Sequence, residues 1–456
     1  MHAQACQRAY ITGILLVAGF LPLYIIRFSV LGIPTNIFEI GVLIVLLMGV
    51  CSEEIRRSWR ATMQQFSAPY RIAIAVFLLS AVIATAISYE VRVSLGILKG
   101  WVIIPAIFGF LAVSAARKTS GMQNRILDSL ICSATIVSVF GIIQIGTLAR
   151  VQSIYDVPNS LALFVVPIFI IALYTGVQLK SRIYLVCAGV IGVAILATQS
   201  AGAMFAIAGT IVIAVFLIPR LTSPNPSFVR RGIRRSLPLT KGELEGVAHN
   251  AATPPHLPSY EGRKLRVPFL FFMILALIIF FSSGRFQYLI SPLIHPNTAN
   301  SVTVRFQFWD IGVRLIKQHP IFGIGLGQFE PAYQAELHHL FEQYNNPPHF
   351  AQGLRGAPQP EYVFRDPHNW IISFWLNVGI LGLISFGYLN YFAIKYAFSS
   401  RSQANTYNLQ LTTGLGLALI AMLLYGLVDT IYWKNDLSAL WWLLVLWPRV
   451  SLLRSK

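Results

Sequence analysis

Residues 366–394 read DPHNWIISFWLNVGILGLISFGYLNYFAI. A charged, proline-marked approach gives way at Trp370 to a run without Asp, Glu, Lys or Arg that lasts through Ile394. About 20 mostly apolar residues suffice to cross the hydrocarbon core of a bilayer. The stretch therefore reads as a membrane-spanning helix whose first residues sit at an interface. Working outward in both directions, the same reading gives twelve candidate spans, at 10–26, 36–51, 70–88, 95–113, 126–146, 159–178, 182–199, 202–219, 267–283, 369–394, 407–427 and 437–452. The last is short and carries Trp441, Trp442 and Trp447, the pattern of an interface anchor. The first apolar run has no small-residue cleavage site and more spans follow it, so it reads as a retained helix.

Composition points the same way. Of 456 residues, 55% are hydrophobic and 11% charged, and the mean hydropathy is +0.65. Soluble domains carry about 25% charged residues. The expected fold class is thus an all-α polytopic membrane bundle.

The net charge of +18 does not indicate nucleic-acid binding, because the basic residues lie between apolar segments. With the N-terminus placed inside, alternate loops carry Arg8; Arg56, Arg57, Arg60 and Arg71; Arg117, Lys118 and Arg125; Lys180 and Arg182; the basic 220–266 stretch; Lys395 and Arg401; and Arg449, Arg454 and Lys456. The opposite short loops carry only Arg27, Arg92, Arg150 and Lys434, with Lys99 inside a span near that side. This bias predicts cytoplasmic termini. Cys6, Cys51, Cys132 and Cys187 lie in or beside apolar segments and form no CxxC pair, which argues against a disulfide framework and a thiolate zinc site.

Two long polar stretches divide the chain into 1–219 (spans one to eight), 220–266, 267–283 (span nine), 284–367 and 368–456 (spans ten to twelve). The 220–266 segment is rich in Pro, Arg, Gly and Ser, lacks an apolar period, and repeats Leu-Pro-x-x-x-Gly at Leu237–Gly242 and Leu257–Gly262. It reads as a disordered cytoplasmic insertion. The 284–367 segment, on the outer face, differs in kind. Apolar residues recur at near-helical spacing from Val302 to Lys317, His319-Pro320 stops that helix, and a second is expected near Pro331–Tyr344. A mainly helical cap over the bundle is expected there. Gly323-Ile-Gly325-Leu-Gly327 follows a polar helix rather than a buried strand, so it is no dinucleotide loop and reads as a flexible turn.

Candidate chemistry gathers where this cap meets the membrane. His368 begins the helix after the cap, where a neutral imidazole can act as a general base. Gly379 and Gly382, three residues apart, read as packing positions on one helical face. Arg305 opens the amphipathic cap helix, and its planar fork suits phosphate oxygens. Arg285, Lys99 and Asn369 are further candidate ligands for an anionic substrate. Arg314, Lys317, Arg355 and Arg365 read as surface charges. His295, His319, His338, His339 and His349 make the segment His-rich, but adjacent histidines on a helix point about 100° apart, a poor chelating geometry; no metal site is expected. Asn159 and Gln199 are costly in lipid and should face the interior or the interface. Asp429, Lys434 and Asp436 read as a surface salt-bridge group.

Taken together, Arg305–Trp309, His319-Pro320-x-x-Gly323-x-Gly325 and His368-Asn369-x9-Gly379-x-x-Gly382 resemble the signature of the O-antigen ligase and polymerase superfamily. The resemblance implies a GT-C-like membrane glycosyltransferase. Its donor would be a glycan on a polyprenyl (undecaprenyl) diphosphate carrier, and its acceptor a hydroxyl of a lipid A core, a growing glycan or a protein. It implies work in surface polysaccharide or lipopolysaccharide biosynthesis, on the outer face of the bacterial inner membrane, among membrane lipids and without cofactor or metal. His368 would take the catalytic position and Arg305 would bind the departing diphosphate. One departure stands out. Many members carry an Arg after a Ser near the start of the eighth span, and here Ala201 follows Ser200; Arg285 or Lys99 would have to substitute. The alternative from another class is a multi-span transporter or flippase, which would be expected to show span repeats and a midplane charge site. Neither is evident.

Overall fold

A computed structural model describes residues 2–222, 278, 287, 301–343, 365–399 and 406–447. Among the described residues the architecture is helical, apart from one hairpin. The first half contains α1 (His2–Gly19), β1 (Arg27–Val30), β2 (Ile33–Asn36), α2 (Ile37–Val50), α3 (Glu53–Gln65), α4 (Ala68–Ala86), α5 (Val91–Ile97), α6 (Ile104–Lys118), α7 (Met122–Ile143), α8 (Pro158–Gln178), α9 (Arg182–Thr198) and α10 (Ala201–Thr222). The second contains α11 (Ser301–Gln318), α12 (Phe329–Gln343), α13 (Trp370–Ser399), α14 (Thr406–Tyr425) and α15 (Asn435–Leu446). Among the described residues, five helical segments are long and apolar enough to cross a membrane: Ala68–Ala86, Val91–Lys118, Met122–Ile143, Pro158–Gln178 and Trp370–Phe398. Ile37–Val50, Arg182–Thr198, Ala201–Val215, Leu411–Tyr425 and Asn435–Leu446 are shorter apolar helices. The expected insertion at 220–266 and the ninth span at 267–283 lie almost wholly outside the described residues, as do His295, His349, Arg355 and Arg285.

The bundle is built around α8, in which every side chain from Ser160 to Gly176 is buried. Proline at its first position costs no hydrogen bond, since that N–H has no helical partner anyway. Around it, α8 packs on α9 and α14, α13 on α4, and α15 on α6.

The tryptophans of α15 correct one expectation. Trp441, Trp442 and Trp447 are no interface anchors; each is at most 1% exposed. Trp441 and Trp442 join Phe77, Phe374, Phe386 and Tyr432 in an aromatic core, with Phe386 stacked on Trp441 at 4.8 Å. Burial is tolerable because two indole N–H groups find partners: Trp441 donates to Asn390 Oδ1 (3.0 Å) and Trp442 to the Tyr432 hydroxyl (3.1 Å). The sequence reading also passed over two short elements. Helix α3 buries Ile55 and Thr62, and Glu53 pairs with Arg57 one turn on. The β1–β2 hairpin pairs Arg27 with Asn36 through Val30 with Ile33.

The cap helices form as expected. Phe308, Ile311 and Leu315 of α11 meet Phe329, Tyr333 and Leu337 of α12, and Leu376 of α13 closes this second cluster. The segment after α11 departs from the expected flexible turn. It is clamped into a break in α13. At Gly379 the backbone leaves helical geometry (φ 71°, ψ 179°), which frees polar groups that the 321–327 segment then satisfies. Ile324 N–H donates to Leu376 O (2.8 Å), Ile380 N–H to Ile321 O (3.0 Å), and Gly327 N–H to Asn377 Oδ1 (2.7 Å). On its other side Leu326 O accepts from Ser94 Oγ (2.7 Å). A β-carbon at Gly379 would overlap the Ile321 carbonyl, and one at Gly323 the Leu376 carbonyl. Gly379 is therefore a helix break that receives a loop, not a packing position sharing a face with Gly382.

Candidate active site

The site assembles where three chain segments converge: the residues ahead of α13, the connection from α14 to α15, and the start of α11. Pro367 disfavours helix at Asp366, and His368 then adopts a left-handed backbone (φ 52°). It stands two residues ahead of the helix rather than opening it. For a non-glycine residue this conformation costs about 1 kcal/mol or more. Neighbouring contacts hold it there. His368 N–H donates to Asp366 Oδ1 (3.0 Å), Trp309 Nε1 donates to Pro367 O (3.1 Å), and Trp370 N–H donates to Gly426 O (2.8 Å).

The imidazole is oriented by a carboxylate that the sequence reading assigned to the surface. Asp429 is 3% exposed. Its Oδ1 lies 2.9 Å from His368 Nδ1 and accepts the Thr430 N–H at 2.8 Å. Its Oδ2 accepts from Asn159 Nδ2 at 2.9 Å and lies 4.0 Å from a terminal nitrogen of Arg305. Arg305 Nε donates to Val428 O (2.8 Å). Burial alone would raise the Asp429 pKa. The charge and hydrogen bond of His368, with Arg305 behind them, reverse this and hold it at about 2. A carboxylate on Nδ1 fixes the tautomer that leaves Nε2 as the basic nitrogen. The side chain of His368 is 24% exposed, so the imidazole is accessible.

A second carboxylate behaves differently. Asp366 accepts from Thr430 Oγ1 (2.7 Å) and from Ser373 Oγ. Burial raises its pKa against the hydrogen bonds and the nearby His368 that act to lower it. Its bonds run to the 365–373 and 430 backbone and side chains, so it braces the His368 turn.

Of the residues singled out by sequence, the structure brings His368, Arg305 and Asn369 together. Asn369 is taken up in the framework: its Oδ1 caps α13 by accepting from Ile371 N–H (3.0 Å) and Ile372 N–H (3.3 Å), and its Nδ2 donates to Leu427 O (3.1 Å). Lys99, within the π-helical turn Leu98–Ile103 that joins α5 to α6, instead pairs with the buried Glu39 (2.7 Å) and donates to Pro34 O. Arg285 lies outside the described residues. Arg314 pairs with Asp310 (3.0 Å) and Arg365 approaches Glu330 (3.8 Å), as suits peripheral charges. Asn159 faces the interior as its cost in lipid required, whereas Gln199 ends α9 in a left-handed turn and donates to Ala149 O.

Sequence reasoning missed Asp429. The available signal was an acid flanked by Gly426-Leu-Val and Thr430-Ile-Tyr-Trp433, an apolar setting in which a surface charge has no place. The rest of that supposed surface group is also buried or partly buried. Asp436 is 1% exposed and accepts from the Tyr155 hydroxyl (3.2 Å), and Lys434 donates to Ser160 Oγ.

No curated protein matches the chain. Residues 183–387 match the family model described as O-antigen ligase. This match spans Arg305, the glycine clamp and His368, and it supports the resemblance of this part of the chain to the O-antigen ligase and polymerase superfamily.

Proposed function

We propose that the protein is a glycosyltransferase that moves a glycan from a polyprenyl diphosphate carrier to a hydroxyl acceptor at the outer face of the bacterial inner membrane. The bundle would cross that membrane twelve times, with both termini cytoplasmic and the α11–α12 cap outside. The observation that carries the reading is the Asp429–His368 pair with Arg305 on the same carboxylate, His368 and Arg305 lying inside the stretch that matches the ligase family.

In this reading His368 Nε2 takes the proton of the acceptor hydroxyl as its oxygen attacks the anomeric carbon of the donor. The bond from that carbon to the phosphate oxygen breaks, and the carrier diphosphate leaves with the electron pair. Asp429 stabilises the imidazolium that forms. Arg305 binds the charge developing on the diphosphate, where preorganised electrostatics gain most. Of the possible acceptors, a lipid A core sugar defines a ligase, a growing glycan a polymerase, and a protein hydroxyl an oligosaccharyltransferase; the ligase reading leads. A transporter reading has no comparable support, since the polar cluster sits at one end of the bundle.

The test uses purified full-length protein, carrier-linked glycan and each acceptor class in chelator. Transfer by the wild type and its loss in His368→Ala at unchanged protein level support the reading. Near wild-type turnover in His368→Ala overturns it, and loss of wild-type turnover on chelation shows a metal requirement.

A further inference from the structure

Arg305 is not the sole guanidinium tied to Asp429. Arg150 lies in the 144–157 connection between α7 and α8, far in sequence from the residues that mark the site. Its backbone is held against the end of α9 on both sides: Gln199 Nε2 donates to Ala149 O (3.3 Å), and Val151 N–H donates to Ala197 O (3.3 Å). The half-buried Arg150 side chain then follows the same edge, and its Nε donates to Thr198 O (2.8 Å). One terminal nitrogen donates to Asn159 Oδ1 (3.0 Å), and Asn159 Nδ2 donates onward to Asp429 Oδ2 (2.9 Å).

Arg150 thus reaches through one amide the carboxylate oxygen that Arg305 faces directly. On the same turn at the end of α9, Ser200 Oγ lies 2.7 Å from the hydroxyl of Tyr425. His368 and Arg305 thus flank one buried acid directly, and Arg150 joins the same network through Asn159. The turn at Gln199–Ala201 carries no cation of its own, and Arg150 brings one to it from another segment.

We propose that Arg150 is a second binding residue for the donor diphosphate, acting beside Arg305 at the junction of α8, α9 and the α14–α15 connection. This rests on the reading of the site as one that handles a diphosphate. Two forks suit that ligand because a diphosphate offers two clusters of oxygens, each of which can accept paired N–H donors. The fixed backbone on either side of Arg150 means little side-chain ordering remains at binding.

The test is inorganic pyrophosphate titrated into the full-length protein in detergent, followed by calorimetry, with the melting temperature as the folding control. Wild type should bind. Arg150→Gln should weaken binding about tenfold or more, and Arg150→Lys by a few-fold, since a point charge lacks the fork. Wild-type affinity in either folded variant overturns the proposal and leaves Arg150 as a strap between two loops. Absence of pyrophosphate binding by the wild type overturns it too. If Arg150→Gln does not fold, Arg150→Lys decides. Binding is read without any transfer. A protein that binds pyrophosphate through Arg150 yet transfers no glycan to any acceptor would sink the proposed function and leave this inference standing.

Discussion

The decisive pair is His368 and Asp429, 61 residues apart in sequence and 2.9 Å apart in space. If the imidazole is the base and Asp429 its orienting partner, Asp429→Asn should lower transfer by roughly 10²-fold or more, within the range that general base catalysis supplies. Donor KM should change little, and the protein should remain folded. Equal turnover in the variant would remove the dyad from the mechanism. Arg305→Lys should recover only part of the activity that Arg305→Ala loses, because the ammonium cannot form a fork. Asn369→Ala should behave as a cap deletion, costing about 1 kcal/mol of stability while kcat is largely kept. Asp429 also sets a pH dependence. Its folded pKa, about 2, lies below the usual carboxylate value of 3.8. Its contribution to stability is therefore present above about pH 4 and lost as pH falls towards 2. Thermal melts of wild type and Asp429→Asn should converge across that acid window; a constant difference would show that Asp429 is not the titrating group.

At the scale of elements, the interlock between α13 and the 321–327 segment positions the site. The break at Gly379 takes in Ile321, Phe322 and Ile324, and the same loop reaches Ser94 in α5. This fixes the cap helix that bears Arg305 relative to the helix that follows His368. Gly379→Ala and Gly323→Ala should each be severe. Both positions have φ of 71°, where a β-carbon costs about 1–2 kcal/mol, and overlap with a backbone carbonyl adds about 1–3 kcal/mol. A lower melting temperature and loss of folded protein in detergent are the expected outcome. The nearest neighbours of a β-carbon at Gly382 are the Val378 and Ser80 side chains rather than a backbone carbonyl, so Gly382→Ala should be the milder change. Equal tolerance of Gly379→Ala and Gly382→Ala would show that the break does not hold the cap.

At the scale of the whole molecule, the charge bias of the loops makes a topological prediction. Tags at residue 240 and at the C-terminus should report the cytoplasm, and a tag near residue 345 the outer side. A tag at 240 that reports the outside would place the His368 cluster on the wrong face for a carrier-linked donor. Deletion of 223–262, a stretch with no apolar period, should leave insertion and transfer near wild type. Loss of activity at normal membrane level would assign the stretch a working role.

Membrane class, helical architecture, the amphipathic cap and the candidates His368 and Arg305 were all legible in the sequence. These depend on local properties: apolar length, 3.6-residue periodicity and short motifs survive without knowledge of what packs where. The burial of Trp441, Trp442 and Trp447 was not legible, because a tryptophan-rich helix end looks the same whether it faces headgroups or a neighbouring helix. Nor was the helix break at Gly379, since a glycine inside an apolar run is compatible with close packing until the loop that fills the break is seen. Asp429, Asn159 and Arg150 became site residues only through tertiary contact. They come from three distant segments, and what makes Asp429 a partner of histidine is the exclusion of water around it, a property of the assembled bundle that no stretch of chain carries alone.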